Sequence, residues 1–460
     1  MPRRLRAAAE TPPLRYETKP AWNLPALEID RYADELAPGF IFVSPFDSSA
    51  STGPLILDDD GEPVWFLPLA TEEAYNFRVQ TYQGRPVLTW YESRGNGLYG
   101  GSCVLYDAEY KEIKRVRGGH GYACDLHEFL ITSRDSAVIA IANDVRYDLT
   151  SIGGAADSIV TEGVIQEIDI ATGRVLFEWH SLDHVAPDES YRTAVTPAGN
   201  VDYFHLNSIG VAPDGNLIVS ARHTSAVYKL NRTTGAILWR LGGKRSDFTL
   251  GAGAAFEFQH DARMHEDGTL TLFDNGATDT NPGDVVEPAS RPLRLVLDEA
   301  RLNATLAHVY APPTPRLATE MGNLQVLPDG SVFVGWGSAG GYTEFAPDGS
   351  LRLDARFTDG TKSYRSLRFV WTALPPGPPS VTVEQAGSGL AVHASWNGAT
   401  DVAYWQARTG TTAKRLTARA TTPRDGFETV VDTPAAPLLS VVALDAKRRE
   451  IGASPLVRVS

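Results

Sequence analysis

The stretch FHLNSIGVAPDGNLIVSAR, residues 204–222, decides the fold of this 460-residue chain. Two runs with alternating apolar residues flank Asp214-Gly215, and an Asp-Gly pair in that setting predicts a β-hairpin, because its tight turn requires positive φ. A His or Asn, an alternating run, an Asp-Gly turn and a second apolar run recur in QHDARMHEDGTLTLFDNG (259–276) and GNLQVLPDGSVFVGWG (322–337). Degenerate copies lie at 75–93 and 125–144. This recurrence predicts a repeat architecture.

A second type of hairpin alternates with the first, for example in IQEIDIATGRVLFEW (165–179) and VYKLNRTTGAILWRL (227–241). Two hairpins per unit make four strands, and four-stranded units of about 40–50 residues are typical of β-propeller blades. Five units are visible, and we expect strands around 40–69 to join the stretch after Tyr342 in a sixth. The sequence therefore predicts an all-β chain with a six-bladed β-propeller.

The chain changes character at TALPPGPPSV (372–381), where four prolines predict a stiff linker. The short alternating strands that follow, with Trp396 among them, favour a small C-terminal β-sandwich of fibronectin III or immunoglobulin type. The predicted division is an N-terminal extension, the propeller, the linker and the sandwich, at 1–37, 38–372, 373–380 and 381–460.

Composition excludes some classes of function. The chain has 42 Lys and Arg against 56 Asp and Glu, a net charge of −14, which argues against a nucleic-acid partner. The sequence contains no run of 18 apolar residues, so we predict no membrane-spanning helix. No apolar signal segment follows the basic start, so we expect a cytoplasmic protein, or a secreted one if a signal precedes this sequence. Cys103 and Cys124 could be free thiols or a disulfide.

Three histidines occupy the same place in their repeat units, at the start of the strand that leads into the turn: His127, His205 and His260. Because the innermost strand of each blade lines the central channel of a propeller, we expect these side chains to converge. Three imidazoles can bind a metal, or they can supply a nucleophile with acid and base partners.

Arg222 favours the second alternative, because a guanidinium repels a metal cation but suits a tetrahedral oxyanion. Asn207 adds a neutral donor, and Asn323 stands at the equivalent place in a further unit. We therefore predict a site for a sulfate- or phosphate-like group, with neither a metal nor a cofactor. The aromatic residues Tyr203, Phe204 and Tyr99 are candidates for stacking a substrate ring at the channel rim.

With these residues in view, the chain resembles the bacterial arylsulfate sulfotransferases that do not use an activated nucleotide sulfate. The resemblance rests on DLHEF (His127), FHLNSIG (His205 and Asn207), VSARH (Arg222) and FQHDARM (His260), and it spans roughly residues 38–372. It implies a six-bladed propeller that transfers sulfate between phenols by a ping-pong reaction through a sulfo-histidine. The family's nucleophile corresponds to His260.

The resemblance also implies roles for the neighbouring residues and for the partners. Within this mechanism we expect Arg222, His205 and Asn207 to hold the sulfuryl oxygens and His127 to act as acid and base, with the division of roles between His127 and His205 left open. Asn323 is a further candidate for binding substrate. Donor and acceptor would be a phenolic sulfate and a phenol, and the oligomeric state stays open. Periplasmic members carry the small sandwich at the N-terminus, so this chain is more similar to the actinobacterial or fungal branch, some of which serve natural-product pathways.

Two other functions stay open. A propeller lyase or cyclase of a biosynthetic pathway could use the same histidines as acid and base. A propeller with a sandwich could also serve binding alone, in which case the histidines would tolerate substitution. A quinone-dependent dehydrogenase is disfavoured, because repeated Trp docking motifs are not found in every unit.

Overall fold

The computed structural model describes residues 3–6, 15–47, 50–94, 97–192, 199–277 and 287–459, with side chains described except at 3–6, 94 and 97–99. Regular structure in these ranges consists of β-strands and short 3-10 helices at Thr150–Ile152, Ser181–Asp183, Pro187–Glu189 and Gly337–Ala339. The predicted all-β class is confirmed. Within the described ranges, no helix is long and apolar enough to span a membrane.

The strands before residue 370 form six sheets, which we number along the chain. In sheet 1 the strand order is Leu367–Phe369, Phe40–Val43, Leu55–Leu57 and Pro63–Phe66. In sheet 2 it is Cys124–Asp125, Gly97–Tyr106, Arg85–Arg94 and Ala74–Tyr82, with Glu112–Val116 beside Gly97–Tyr106. In sheet 3 it is Phe129–Ile131, Ser136–Tyr147, Ser158–Asp169 and Val175–His180, with Val201–Asp202 beside Ser158–Asp169.

Sheets 4 to 6 repeat this antiparallel pattern. Their strand order is: sheet 4, Leu206–Val211, Leu217–Ala221, Ala226–Leu230 and Ile237–Gly242; sheet 5, His260–Met264, Thr269–Asp274, Arg291–Asp298, Asn303–Val309 and Thr249–Leu250; sheet 6, Asn323–Val326, Val332–Gly335, Tyr342–Phe345, Leu351–Phe357, Leu27–Arg31 and Arg3–Arg6. The last two strands lie within the predicted N-terminal extension.

The Asp-Gly turns lie where the sequence predicts them. Gly215, Gly268 and Gly330 join the first two strands of sheets 4, 5 and 6, and their φ angles are +85°, +76° and +85°. Residues other than glycine rarely adopt such angles, which explains why glycine follows the aspartate at each tip.

The six sheets contact one another in a closed ring. Each sheet contacts the next in number, and sheet 6 contacts sheet 1. Every neighbouring pair shares its own cluster of buried apolar side chains. This arrangement places one edge strand of each sheet next to those of its neighbours: Leu367–Phe369, Ala74–Tyr82, Phe129–Ile131, Leu206–Val211, His260–Met264 and Asn323–Val326.

The ring closes between the two ends of this region. Leu367–Phe369 pairs with Phe40–Val43, so sheet 1 combines strands that lie far apart in sequence. We expected strands around 40–69 to join the stretch after Tyr342, and the partner strand does lie after that residue. However, the hairpin of Tyr342–Phe345 and Leu351–Phe357 belongs to sheet 6, because it continues the antiparallel series from Val332–Gly335.

The C-terminal region forms two further sheets around one apolar core. Strand order is Ser380–Ala386, Gly389–Ser395 and Glu428–Pro434 in one sheet, and Thr417–Pro423, Tyr404–Gly410, Leu438–Leu444 and Glu450–Ala453 in the other, with Val457–Arg458 beside Leu438–Leu444. The Asn397 amide exchanges two hydrogen bonds of 2.9 Å with the Phe66 backbone, which attaches this region to sheet 1. The predicted domain boundaries stay predictions.

Candidate active site

The three predicted histidines lie at equivalent places in consecutive sheets. His127 precedes the first strand of sheet 3, His205 directly precedes sheet 4, and His260 is the first residue of sheet 5. The ring centroids of His127 and His205 are 5.0 Å apart. The Tyr364 ring lies 5.7 Å from His127 and 6.4 Å from His260. The ring of sheets therefore brings the three imidazoles together.

Two of these histidines have a carboxylate at Nδ1. His127 Nδ1 is 3.0 Å from an oxygen of Asp125, and His205 Nδ1 is 2.5 Å from an oxygen of Asp202. Because an ionised carboxylate can only accept, these contacts assign the proton to Nδ1 of each ring. Each ring therefore has Nε2 available for chemistry, and the Asp202 carboxylate acts to raise the pKa of His205.

The third histidine has an amide at the same position. His260 Nδ1 is 2.7 Å from Oδ1 of Asn275, and the Met321 backbone N–H donates to His260 Nε2 over 3.2 Å. His260 is thus a neutral imidazole with its proton on Nδ1. Burial lowers the pKa of His260 well below its usual range, and the positive charge of Arg222 lowers it further.

Arg222 supplies positive charge to the site. The residue is almost fully buried, its guanidinium donates to the Thr319 carbonyl over 2.8 Å, and its backbone N–H donates to the His205 carbonyl over 2.9 Å. Burial lowers the pKa of His205, Asp202 opposes that effect, and Arg222 adds to it. A fixed guanidinium beside the neutral imidazole of His260 makes this place attractive to an anion, although the whole chain is acidic.

Asp202 and His223 belong to the site but were not predicted. The repeat does not single out His223, yet its ring lies 4.6 Å from that of His205 and its Nδ1 is 2.6 Å from the Asp202 carbonyl oxygen. Burial acts to raise the pKa of Asp202, but His205 and His223 outweigh it and hold that pKa below its usual range. The sequence signal was present: Asp202 stands three residues before His205.

Asp202, His205 and His223 could also hold a metal ion, since each offers a ligand atom within 4.8 Å of the others. In the structure, both Nδ1 atoms contact oxygens of Asp202, and Arg222 lies near enough to lower the pKa of both histidines. A metal would have to replace these hydrogen bonds beside a fixed cation, so the donor set suits an anion site better.

Asn207 and Asn323 hold backbone rather than line an open site. The Asn207 amide donates to the Gln259 carbonyl over 2.7 Å, and so fixes the residue before His260. The amide of Asn323 exchanges hydrogen bonds of 3.0 and 2.9 Å with the Ser366 backbone. Both residues are fully buried, and the prediction that Asn323 binds substrate is not supported by this placement.

The predicted rim aromatics require a correction. Tyr203 and Phe204 are fully buried in the core between sheets 3 and 4, and the Tyr203 hydroxyl donates to Ser181 Oγ over 2.8 Å. Their rings pack against other side chains and offer no face to a substrate. The side chain of Tyr99 lies outside the described residues; its backbone pairs with Asp125.

A buried group of charges, which we call the central ion cluster, lies next to the histidines. It consists of Glu128, Asp261, Arg78, Arg263 and Arg365. Glu128 is fully buried and contacts all three arginines, at 2.5 Å for Arg263 and 3.3 Å for Arg365. Sequence reasoning missed this cluster, although its two acids directly follow His127 and His260 in the sequence.

A pocket opens beside two of the histidines. It is lined by Asp125, His127, Ile141, Ala142, Thr161, Glu162, Gly163, Asp202, His205 and Leu206. Acidic and apolar groups share this lining, and the cavity of about 10 Å³ has room for little more than one water molecule.

With this geometry in place, the comparisons with known proteins define a class. Residues 78–358, more than half of the chain, match the sequence profile of the arylsulfotransferases (ASST). The chain therefore belongs to the arylsulfotransferase family, as the sequence resemblance predicted. No curated protein matches the chain.

Solved structures with distant similarity include a Bacteroides caccae protein of unknown function, with a TM-score of 0.44, 13% identity and coverage of 72% of this chain and 98% of that one. The virginiamycin B lyase of Staphylococcus aureus with quinupristin has a TM-score of 0.38 and 10% identity, with coverage of 80% of this chain and 95% of that one. A gluconolactonase from Xanthomonas campestris has a TM-score of 0.36 and 13% identity, with coverage of 78% of this chain and 95% of that one. These similarities are too low to support an argument about function.

Proposed function

We propose that the protein is a ping-pong aryl sulfotransferase that moves a sulfuryl group from a phenolic sulfate ester to a phenol through a sulfo-histidine, without an activated nucleotide sulfate. Membership of the arylsulfotransferase family supports the substrate class. The observation that carries the proposal is the convergence of three imidazoles on a buried guanidinium, with a neutral imidazole at His260.

The proposed architecture follows from the closed ring of contacts. Six antiparallel sheets, each in contact with the next, support a six-bladed β-propeller, and sheet 1 would be the blade that closes it. The two C-terminal sheets with one shared core support the small β-sandwich. In such a propeller, the first strands of the blades surround the channel, which explains why their starting residues carry the site.

In the first half-reaction, the Nε2 lone pair of His260 attacks the sulfur of the aryl sulfate. The bond between sulfur and the aryl oxygen breaks, and its electron pair leaves with that oxygen. His127, in its protonated form, gives a proton to the departing aryl oxide. Arg222 neutralises charge on the sulfuryl oxygens beside the ring of His205, and Asn207 acts through the backbone before His260.

In the second half-reaction, neutral His127 takes the proton of an acceptor phenol. The phenolate oxygen attacks the sulfur, the N–S bond breaks, and its electron pair returns to His260 Nε2. His127 is protonated again and His260 is a neutral imidazole, so protons and charges balance over the cycle. The same group can serve as acid and then as base because imidazole titrates near neutral pH.

The test is incubation with 4-nitrophenyl sulfate without any nucleotide, with and without a second phenol. We expect nitrophenol release that the second phenol accelerates, and a mass gain of one sulfuryl group on the His260 peptide. His260→Ala should abolish both, whereas His265→Ala, which removes a histidine five residues away and outside the site, should abolish neither. Sulfate transfer by His260→Ala, or transfer without the adduct, would contradict the mechanism.

A further inference from the structure

The partner of the proposed nucleophile differs in kind from the partners of its neighbours. His127 and His205 each place Nδ1 against a carboxylate, whereas His260 places Nδ1 against the amide oxygen of Asn275 at 2.7 Å. A carboxylate stabilises an ordinary imidazolium, but it can accept the Nδ1 proton of a ring that an attached electron-withdrawing group has made more acidic, which an amide oxygen is too weakly basic to do near neutral pH.

The orientation of this amide is fixed. The Asn275 side chain is fully buried, and its NH2 group donates to the carbonyls of Ala318 and Met321 over 2.8 and 3.0 Å. Turning the amide over would direct NH2 at the His260 N–H and oxygen at two carbonyls. The acceptor oxygen therefore faces Nδ1, and the surrounding backbone maintains that arrangement.

We propose that Asn275 is a positioning residue that keeps the Nδ1 proton on His260 while the sulfuryl group is attached. This inference rests on the proposed function. Bond formation between Nε2 and sulfur makes the ring positively charged, as an N-sulfoimidazolium, provided that Nδ1 keeps its proton. The negative sulfonate on the same adduct compensates that charge.

The retained proton decides how the adduct reacts. When the acceptor phenolate attacks sulfur, the N–S electron pair goes to Nε2, and the leaving group is neutral imidazole. If Nδ1 had lost its proton, the leaving group would be an imidazolate anion, a much stronger base that leaves far more slowly. A carboxylate at this place would promote that loss, and so would produce a stable adduct that fails to transfer.

Burial makes such a device necessary. His260 is almost fully buried and faces the charge of Arg222, and both conditions disfavour a positive ring. An adduct with a basic neighbour would therefore release its proton readily. The amide oxygen accepts a hydrogen bond that fixes the ring, but it is not a base that could remove the proton.

The first experiment compares Asn275→Asp with the wild type in both half-reactions. We expect the His260 adduct to form, and the acceptor-dependent step to slow by about 100-fold, at the lower end of what a positioned proton contributes to a rate. Adduct per enzyme should then rise at steady state while turnover falls. Asn303→Asp adds the same charge at an exposed position and should leave both steps unchanged.

The second measurement needs no variant, since Asn275→Asp also disturbs two backbone carbonyls. The wild-type adduct is isolated and its decay is followed between pH 6 and 9, in the folded protein and after unfolding in urea. Because the folded site retains the proton, we expect decay in the folded protein to be insensitive to pH. In the unfolded chain the ring loses that proton as pH rises, so decay should become slower.

The outcomes separate this inference from the proposed function. If the wild type forms no adduct on His260, both are wrong. If the wild-type adduct forms, but its folded decay slows with pH as in the unfolded chain, or Asn275→Asp transfers as fast as the wild type, only the role of Asn275 is wrong. An equal loss in both half-reactions of Asn275→Asp would also overturn it, because that pattern indicates a merely structural residue.

Discussion

Substitution of Glu128 by glutamine should destabilise the protein more than any change of one surface charge. Glu128 is fully buried and contacts Arg78, Arg263 and Arg365, which come from sheet 2, sheet 5 and the segment before the closing strand of sheet 1. Glutamine keeps the shape but removes the charge, and its NH2 group would face guanidinium donors. One acid, Asp261, would then remain for three buried arginines.

Removing one partner of a buried ion pair costs about 3–5 kcal/mol, because the other charge stays buried without compensation. We expect a loss of that size in the free energy of unfolding of Glu128→Gln. The matched control is Glu112→Gln, whose partner Arg115 lies 2.8 Å away while both side chains are about a third or more exposed. An exposed pair of this kind contributes about 0–1 kcal/mol.

The assay is urea unfolding followed by tryptophan fluorescence at several pH values. Burial acts to raise the pKa of Glu128, but the arginines outweigh it and hold that pKa well below its usual range. A group with a lowered folded pKa stabilises above its unfolded pKa of about 4.3 and loses that contribution as pH falls through the folded pKa. The difference between wild type and variant should therefore be constant above about pH 5 and shrink in acid. A loss no greater than that of Glu112→Gln, or a difference that grows in acid, would refute this reasoning.

Three further predictions follow from single contacts. Asp202→Asn removes the carboxylate at His205 Nδ1 and so lowers the pKa of that histidine further. Its imidazole titration, followed by NMR, should move to lower pH by about one unit, and an unmoved titration would contradict this. Tyr203→Phe removes a buried hydrogen bond to Ser181 and should lower the free energy of unfolding, measured in urea, by about 1 kcal/mol. The KM for the acceptor phenol should be unchanged, and a raised KM would support the predicted place of Tyr203 at the channel rim. Cys103 and Cys124 are buried free thiols, and burial raises the pKa of Cys103 well above its usual range; a thiol reagent should label neither in the native protein and both after unfolding, and native labelling would be inconsistent with that burial.

Local signals in the sequence predicted much of the fold. A hairpin with an Asp-Gly tip is determined by residues that are neighbours in the chain, so 204–222, 259–276 and 322–337 could be assigned directly. The pairing of Leu367–Phe369 with Phe40–Val43 could not, because three residues are too few to show alternation and the partner lies at the opposite end of the region. Long-range closure depends on which strand edge remains after the local hairpins have formed.

The site was predictable in part for the same reason. His127, His205 and His260 share a repeat position, and a repeat fold places such positions together. Their partners follow no repeat: Asp202 comes three residues before one histidine, and Asn275 comes fifteen residues after another. Tyr203 and Phe204 show the converse error, since two aromatics beside a site histidine also suit the apolar core between two sheets.

The central ion cluster and the histidine site are built from neighbouring residues of the same chain segments. Glu128 follows His127 and Asp261 follows His260, and within each pair the two side chains have different partners. One side chain of each pair reaches the histidine site, while the next joins charges from neighbouring sheets. A change that loosens the cluster must therefore move the backbone that aims the imidazoles. The precision of the site depends on how these sheets are held to one another, which gives this buried cluster of five charged side chains a reason to persist despite its cost of desolvation.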